Sequence, residues 1–327
     1  LICRTERSLQ EEHFRKLSMF CNVPLDAVIE EKNVDHSIYE VPVELADQKL
    51  DELILKRLDL PVGELDLDGW KKMLKKAIFP SGPLLRIGVT GKYMGLRDAY
   101  KSIFEALKHG AIALDADLEI VGIESEDLEG GNTEALQGLH GILVPGGFGY
   151  RGIEGKVVAV EYARRKNIPF LGICLGMQCA VIETARNLAG LKEANSSEFA
   201  PECPHPVIHL MEEQKSISDK GGTMRLGLYP CRLSDGSLAG SVYGEEQISE
   251  RHRHRYEFNN EYREKLREAG LVCSGVSPDG KLVEIVERPD QRWFIASQFH
   301  PEFTSSPLKP NPLFRDFIEA AWKYSIE

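Results

Sequence analysis

The sequence predicts an α/β protein: a mostly parallel sheet flanked by helices, with an additional small antiparallel sheet, preceded by a mainly helical segment. Three observations lead there. From Arg86 to about Leu188, apolar runs of strand length alternate with segments of helical spacing, the rhythm of a parallel sheet covered by helices. After Phe199 the pattern turns to strands, with one helix among them. Residues 1–80 hold too few strands for a sheet of their own, and Phe79-Pro-Ser-Gly-Pro83 punctuates the chain as a linker. Two domains are therefore expected, over residues 1–80 and 81–327.

In chain order, Leu1 to Cys3 reads as a strand. Ser8, with Glu11 and Glu12 behind it, reads as a helix cap, and Phe14, Leu17 and Cys21 recur at helical spacing up to Asn22. Further helices are expected over 43–57 and 68–76. Ile87-Gly-Val-Thr90 is a short apolar strand. Ala99, Ile103, Ala106 and Leu107 share a helical face, and 118–123 is a strand. A short helix over 133–139, a buried strand over 141–144, a helix over 154–166 and a strand over 169–173 follow. The next helix follows Cys174, starts near Leu175 and runs to about Leu188, where Gly190 would end it. Strands are then expected at 207–210, 224–228, 253–258, 271–276, 282–287 and 294–299, with a helix at 260–269. Pro278-Asp-Gly280 signals a hairpin turn, and Phe314, Phe317, Ile318 and Ala321 form one face of a closing helix. Right-handed crossovers place the ends of the parallel strands, and the Gly-rich loops after them, along one edge, where ligands of such sheets bind.

A net charge of −11 argues against non-specific nucleic-acid binding, which needs a basic face. No apolar run reaches the length of a membrane span, so no membrane partner is expected. The seven cysteines form no Cys-x-x-Cys pair. Neither a disulfide framework nor a metal site is indicated, and a reducing, cytoplasmic compartment fits best. The opening Leu-Ile-Cys-Arg, without an initiator Met, reads as a start within a strand, and the chain is expected to be a piece of something longer.

Pro169-Phe-Leu-Gly-Ile-Cys-Leu-Gly-Met-Gln178 is an apolar strand, a turn with glycines on both sides of Cys174, and a helix start. Gly-x-Cys-x-Gly is the thiol counterpart of the Gly-x-Ser-x-Gly nucleophile elbow, where small neighbours permit a strained turn. A helix N-terminus also favours a thiolate. A buried structural cysteine satisfies the same heptad. Pro145-Gly-Gly-Phe-Gly-Tyr-Arg-Gly152 follows the preceding strand, and residues 147–152 fit Gly-x-Gly-x-x-Gly. The dinucleotide reading also wants an acidic residue at the tip of the next strand, which here ends at Ile173-Cys174. Adjacent glycines beside a thiol suit a different role, with unobstructed N–H groups stabilising an oxyanion and the amide of Leu175 as second donor. In Gln298-Phe-His-Pro-Glu302, an extended segment would turn His300 and Glu302 to the same side, a carboxylate orienting an imidazole as base for Cys174. Arg251-His-Arg-His-Arg255 has His252 and His254 on one strand face. With no third ligand in view, it reads better as a specific Arg in a cleft than as a metal pair.

Pro-Gly-Gly-Phe-Gly149, Gly-Ile-Cys-Leu-Gly-Met-Gln178 and His-Pro-Glu-Phe303 together resemble a class I glutamine amidotransferase. Phe148-Gly-Tyr-Arg-Gly-Ile-Glu-Gly155, Asn195-Ser-Ser-Glu-Phe199, Gly221-Gly-Thr-Met-Arg-Leu-Gly227 and Arg251-His-Arg-His-Arg-Tyr256 narrow the resemblance to the CTP synthase family. Cys3-Arg4, Leu17-Ser-Met-Phe-Cys-Asn-Val-Pro24 and Val34-Asp-His-Ser-Ile-Tyr39 resemble the end of that family's synthetase domain. The resemblance implies hydrolysis of L-glutamine through a thioester, with Cys174 as nucleophile, His300 as base and Glu302 as its orienter. Backbone donors would come from Gly147 and Leu175. Glutamine would be held among Leu175, Gly176, Met177 and Gln178, with Glu198 for its ammonium and Arg255 for its carboxylate. Arg151, Gly152 and Glu154 match a lid tied to allosteric activation by GTP; an ion pair of Arg151 with Glu154 near a helix start is the structural alternative. Arg4, Lys16 and Val34 match positions near nucleotides in the synthetase part. The glutaminase step needs no cofactor. In the family's intact enzyme the ammonia aminates UTP to CTP with ATP and Mg2+, in a homo-tetramer formed through the synthetase part. No Gly-x-x-x-x-Gly-Lys-Ser/Thr occurs here, so the chain alone is expected to hydrolyse glutamine without making CTP. A triad cysteine peptidase and a nucleotide-binding module are the competing readings. Glu198 and Arg255 argue against the first, because an internal peptide bond has no free ammonium or carboxylate.

Overall fold

The computed structural model describes residues 1–210 and 224–327. Gly221 to Thr223, the start of one motif above, lie outside the described residues. The chain divides into two compact units, Leu1–Ser81 and Gly82–Glu327.

The first unit contains β1 (Ile2–Thr5), α1 (Glu11–Cys21), β2 (Ile29–Lys32), α2 (Val41–Asp47), α3 (Leu50–Arg57) and α4 (Asp68–Ile78). Three expectations change here. β1 and β2 pair in parallel from Ile2 with Ile29 to Thr5 with Lys32, so this segment does form a small sheet. β2 escaped notice because Ile-Glu-Glu-Lys carries a single apolar residue. The helix expected over 43–57 is two helices, broken where Lys49 takes φ +57°. Gln10 rather than Ser8 caps α1, sharing a reciprocal capping box with His13.

The second unit begins with β3 (Leu84–Gly91), α5 (Lys101–Leu114), β4 (Asp117–Glu124), β5 (Gly141–Val144), α6 (Ile153–Lys166), β6 (Phe170–Ile173) and α7 (Leu175–Asn187). It continues with β7 (Ala194–Ser196), β8 (His205–His209), β9 (Arg225–Leu233), α8 (Leu238–Tyr243), β10 (Gln247–His254) and β11 (Glu257–Phe258). α9 (Arg263–Glu268), β12 (Val272–Val276), β13 (Val283–Glu287), β14 (Phe294–Ser297) and α10 (Pro312–Ser325) complete it. The fold is the α/β class expected, a mostly parallel run of strands in a larger sheet flanked by helices. Among the described residues, nine strands form the main sheet in the order β10-β9-β12-β13-β14-β6-β5-β3-β4. The run from β14 to β4 is parallel, and β13, β12, β9 and β10 extend it antiparallel. The antiparallel strands thus largely continue the main sheet, and the small sheet β11-β8-β7 is itself mixed. The segment 133–139 makes only a 3-10 turn, Glu134–Leu136, while β7 and α8 were not expected.

β5, β6, β13 and β14 are buried along their whole length, as central strands covered on both faces must be. The period of two divides them between two cores. Ile142, Val144 and Phe170 join Val160, Val181 and Ala185 from α6 and α7. Leu143, Leu171 and Ile173 join Ile103, Leu107, Phe314 and Phe317 from α5 and α10. β5, β6 and β14 run in parallel, so the loops after them open on one edge.

Candidate active site

Cys174 occupies the turn between β6 and α7 with φ +53° and ψ −102°, a left-handed conformation that costs a non-glycine residue about 1–3 kcal/mol. The surroundings enforce it. The Cys174 N–H donates to Ser297 O at 2.7 Å, tying the turn to the end of β14. A Cβ on Gly176 would stand 1.9 Å from Val144 O, and one on Gly172 would stand 2.8 Å from the Ala296 Cβ. Both glycines of Gly-x-Cys-x-Gly are therefore required by close approach to neighbouring strands. The residue is buried, yet it lines a cavity of about 290 Å³ together with Gly146, Gly147, Phe148, Arg253, His300 and Glu302.

His300 Nδ1 lies 2.7 Å from Glu302 Oε1, and the imidazole shares the cavity wall and a favourable electrostatic interaction with Cys174. The two residues meet for a different reason from the extended geometry expected. β14 ends at Ser297, and Pro301–Thr304 is a 3-10 turn that curls the carboxylate back under the ring. The His300 N–H donates to Arg251 O at 2.8 Å, and Phe303 stacks on the ring at 5.3 Å between centroids. Burial opposes charge on His300, but Cys174 and Glu302 more than offset it and push its pKa up to about 10. Thiol, imidazole and carboxylate in series can activate sulfur for attack on an acyl carbon and hold its proton for a leaving group.

The loop after β5 faces this series. A Cβ on Gly146 would lie 3.1 Å from His300 Cε1 and 3.6 Å from the Cys174 Cβ. Two lysines outside the sequence motifs hold the loop from behind. Lys156 Nζ donates to Pro145 O at 2.7 Å and to Gly146 O at 3.4 Å. Lys92 Nζ donates to Phe148 O at 3.0 Å and to Gly149 O. Gln298 was passed over within its own motif. Its amide approaches the Cys174 sulfur at 3.7 Å and accepts from Gln178, which also donates to Tyr256 O. Lys92 directly follows β3, a strand end on the ligand edge, and that position was the available signal.

Leu175 and Gly176 open α7, and Met177 is packed in the core. Gln178, Glu198 and Arg255 do not line the cavity at the thiol. Glu198 is half-buried. Burial pushes its carboxyl up, while the Gly149 N–H, Lys92 and Arg255 draw it back. Arg151 and Glu154 do not pair with each other. Arg151 meets Glu126 at 3.0 Å and lies over the Tyr93 ring, whereas Glu154 meets Arg186 at 2.6 Å; Gly152 precedes α6. In the first unit Arg4 pairs with Glu31 at 3.0 Å, Lys16 is exposed on α1, and Val34 follows β2. No hydrogen bond or ion pair among the described residues joins these three. Burial, then the neighbouring His254, depresses His252 to about 2, and burial, then Arg225, depresses His254 to about 3; 2.8 Å separates their ring nitrogens. Among the described residues no group of three or more His, Cys, Asp or Glu is placed to hold a metal ion. No described helix is long and apolar enough to cross a membrane.

Residues 96–320 match the family model of class I glutamine amidotransferases, and residues 1–60 match that of the CTP synthase N-terminus. A solved structure, the Trypanosoma brucei CTPS glutaminase domain with bound acivicin, superposes with a TM-score of 0.69 at 43% identity. The match covers 73% of this chain and 94% of that one. The chain belongs to the CTP synthase family. CTP synthases of Caldanaerobacter subterraneus and Halalkalibacterium halodurans are 55% and 54% identical to it, over 100% and 98% of this chain. The chain spans 60% of the length of each of these relatives. Both of its units thus have counterparts in the CTP synthase family, and the cavity at Cys174 lies in the unit that matches the amidotransferase model.

Proposed function

We propose that this chain hydrolyses L-glutamine to L-glutamate and ammonia at Cys174. The observation that carries the reading is Cys174, on a strained turn beside a glycine loop, sharing one cavity with His300, which is itself hydrogen-bonded to Glu302. The Cys174 sulfur attacks the carboxamide carbon, and the carbonyl π pair moves to oxygen. The N–H groups of Gly147 and Leu175 receive that oxyanion. His300 holds the proton and returns it to the leaving nitrogen, so ammonia departs and a glutamyl thioester remains. Water, deprotonated by His300, then attacks the thioester and releases glutamate. Glu302 keeps the imidazole oriented throughout. The strand-to-helix segment Leu175 to Gln178 forms one wall, while Glu198 and Arg255 supply opposite charges suited to a free amino acid. The Coulombic coupling of Glu198 with Arg255 supports that pairing.

In the longer proteins of the family the ammonia would aminate UTP with ATP, and Arg151, Gly152 and Glu154 would belong to a loop responsive to GTP. Arg4, Lys16 and Val34 would belong to the nucleotide-binding part. Residues 1–81 offer no phosphate loop and no metal-ligand cluster among those described, which does not fit ATP with Mg2+, so no step through those groups is derived for this chain. The test is ammonia release from glutamine by the chain and by Cys174→Ala. Activity that survives in the variant overturns the reading. CTP formed by this chain from UTP, ATP and glutamine overturns the restriction to the glutaminase step.

A further inference from the structure

Lys156 is a fully buried cation for which the proposed chemistry has no use. Its side chain leaves α6 in the helix's first turns, where the helix dipole disfavours positive charge. It has no ion-pair partner among the described residues. A buried ammonium without a carboxylate is costly, and burial brings this one down to about 8. Its hydrogen bonds go to two successive carbonyls, those of Pro145 and Gly146, in the loop that walls the cavity at Cys174.

That choice of acceptors has a consequence fixed by covalent geometry. A peptide is planar and trans, so its N–H points opposite to its C=O. With the Gly146 carbonyl turned back to the Lys156 amine, the N–H of Gly147 is directed away from Lys156. Glycine on both sides of this peptide leaves no side chain to resist a flip, and a flipped peptide would present a carbonyl where the oxyanion forms. We propose that Lys156 is a positioning residue that holds the Gly146–Gly147 peptide in the orientation that offers the Gly147 N–H to the oxyanion of the glutamine reaction. Lys92 holds the carbonyls of Phe148 and Gly149, so the two amines together take four of the five carbonyls from Pro145 to Gly149, all but that of Gly147.

The inference rests on the glutaminase reading, and the test separates the two. Lys156→Met keeps the length and volume and removes the donors, and Lys156→Gln keeps an N–H donor on a shorter chain. Three quantities are measured for each and for the wild type: kcat and KM for ammonia release, the rate of Cys174 alkylation by iodoacetamide, and inhibition by an aldehyde analogue of glutamine. The aldehyde forms a thiohemiacetal: the sulfur bonds to carbon, and the carbonyl pair becomes an oxyanion in the same hole. Alkylation displaces iodide and needs no oxyanion donor. Lys156→Met is expected to lower kcat about 10- to 100-fold and to weaken the aldehyde by a similar factor. KM and the alkylation rate stay within about threefold. Lys156→Gln recovers part of both losses. A kcat for Lys156→Met within about threefold of wild type, or hydrolysis and alkylation falling together, overturns the proposal. If Lys156→Met shows no melting transition, Lys156→Gln decides by the same comparison. A wild-type chain with no Cys174-dependent hydrolysis removes the glutaminase reading and this inference with it.

Discussion

Replacing Glu302 by glutamine strikes the series at the end remote from sulfur. Glu302 Oε1 lies 2.7 Å from His300 Nδ1, with the carboxylate side chain only 4% exposed and the imidazole 12%. A hydrogen bond to an ionised group contributes about 1.5–3 kcal/mol, which as lost transition-state stabilisation lowers the rate roughly 10- to 150-fold. Glutamine preserves the size and one acceptor, but its amide nitrogen can meet Nδ1 as a donor. The ring then carries its proton on Nε2, the wrong tautomer for a base, and such an error costs up to about 10⁴-fold. Glu302→Gln is therefore expected to lower kcat for ammonia release by at least about 100-fold while KM stays within about threefold, the pattern of a group that acts in the transition state. Stability provides an independent check. Burial disfavours the imidazolium, yet Cys174 and Glu302 bring His300 to about 10, above the 6.5 of an unfolded histidine. A raised folded-state pKa stabilises in full below the unfolded value, and that contribution is lost as pH rises through the folded value. The stability gap between wild type and Glu302→Gln is thus widest near pH 6.5 and narrows toward pH 10, as denaturant melts across that window will report. A variant retaining kcat within about fivefold of wild type, or a gap that widens with pH, refutes the reasoning.

Gly176→Ala would drive a Cβ to 1.9 Å from Val144 O. Forced overpacking of about 2–3 kcal/mol is expected to lower Tm by roughly 5–10 °C and to abolish glutamine hydrolysis; a Tm within about a degree of wild type contradicts this account of the elbow. Arg164 makes three hydrogen bonds to the fully buried Glu183, joining α6 to α7. Arg164→Met strands that carboxylate and should cost about 3–5 kcal/mol in chemical denaturation, whereas Arg164→Met with Glu183→Leu should recover most of the loss. His254 is depressed to about 3, first by burial and then by Arg225. A depressed folded-state pKa stabilises above the unfolded value and fades as pH falls, so the destabilisation caused by His254→Gln should shrink by about 1.5 kcal/mol between pH 6.5 and 5. The variant comparison is needed because Glu257, raised to about 8 by burial, works in the opposite direction over the same window.

The parallel half of the fold was legible because its signals are local. β5 and β6 are apolar at every position and bounded by turn residues, and α10 shows its buried face as Phe314, Phe317, Ile318 and Ala321. What escaped were elements whose sequences lack such contrast. Leu238–Tyr243 is only six residues, Ala194–Ser196 carries one apolar side chain, and Ile29–Lys32 carries three charges. Sheet membership was illegible for a different reason. Whether β9 and β10 extend the main sheet or form another is decided by pairing partners far apart in the chain, such as Gly275 with Leu233, and no period within either strand encodes that.

The site divides along the same line. Cys174 and its glycines announce themselves because one backbone turn imposes all of them within a few residues, and His300 with Glu302 because two positions separate them. Lys92, Lys156 and Gln298 act on the same loop and thiol from the end of β3, from α6 and from the end of β14, and nothing local distinguishes Lys156 from the lysines exposed on other helices. Its burial is a tertiary fact, created when the start of α6 packs under the loop that β5 releases. A helix that follows such a loop directly can reach back to the carbonyls it has just left, because only a few residues separate them. A lysine a few residues into the helix after a Gly-Gly turn at a strand's end therefore carries information that neither the turn nor the lysine carries alone.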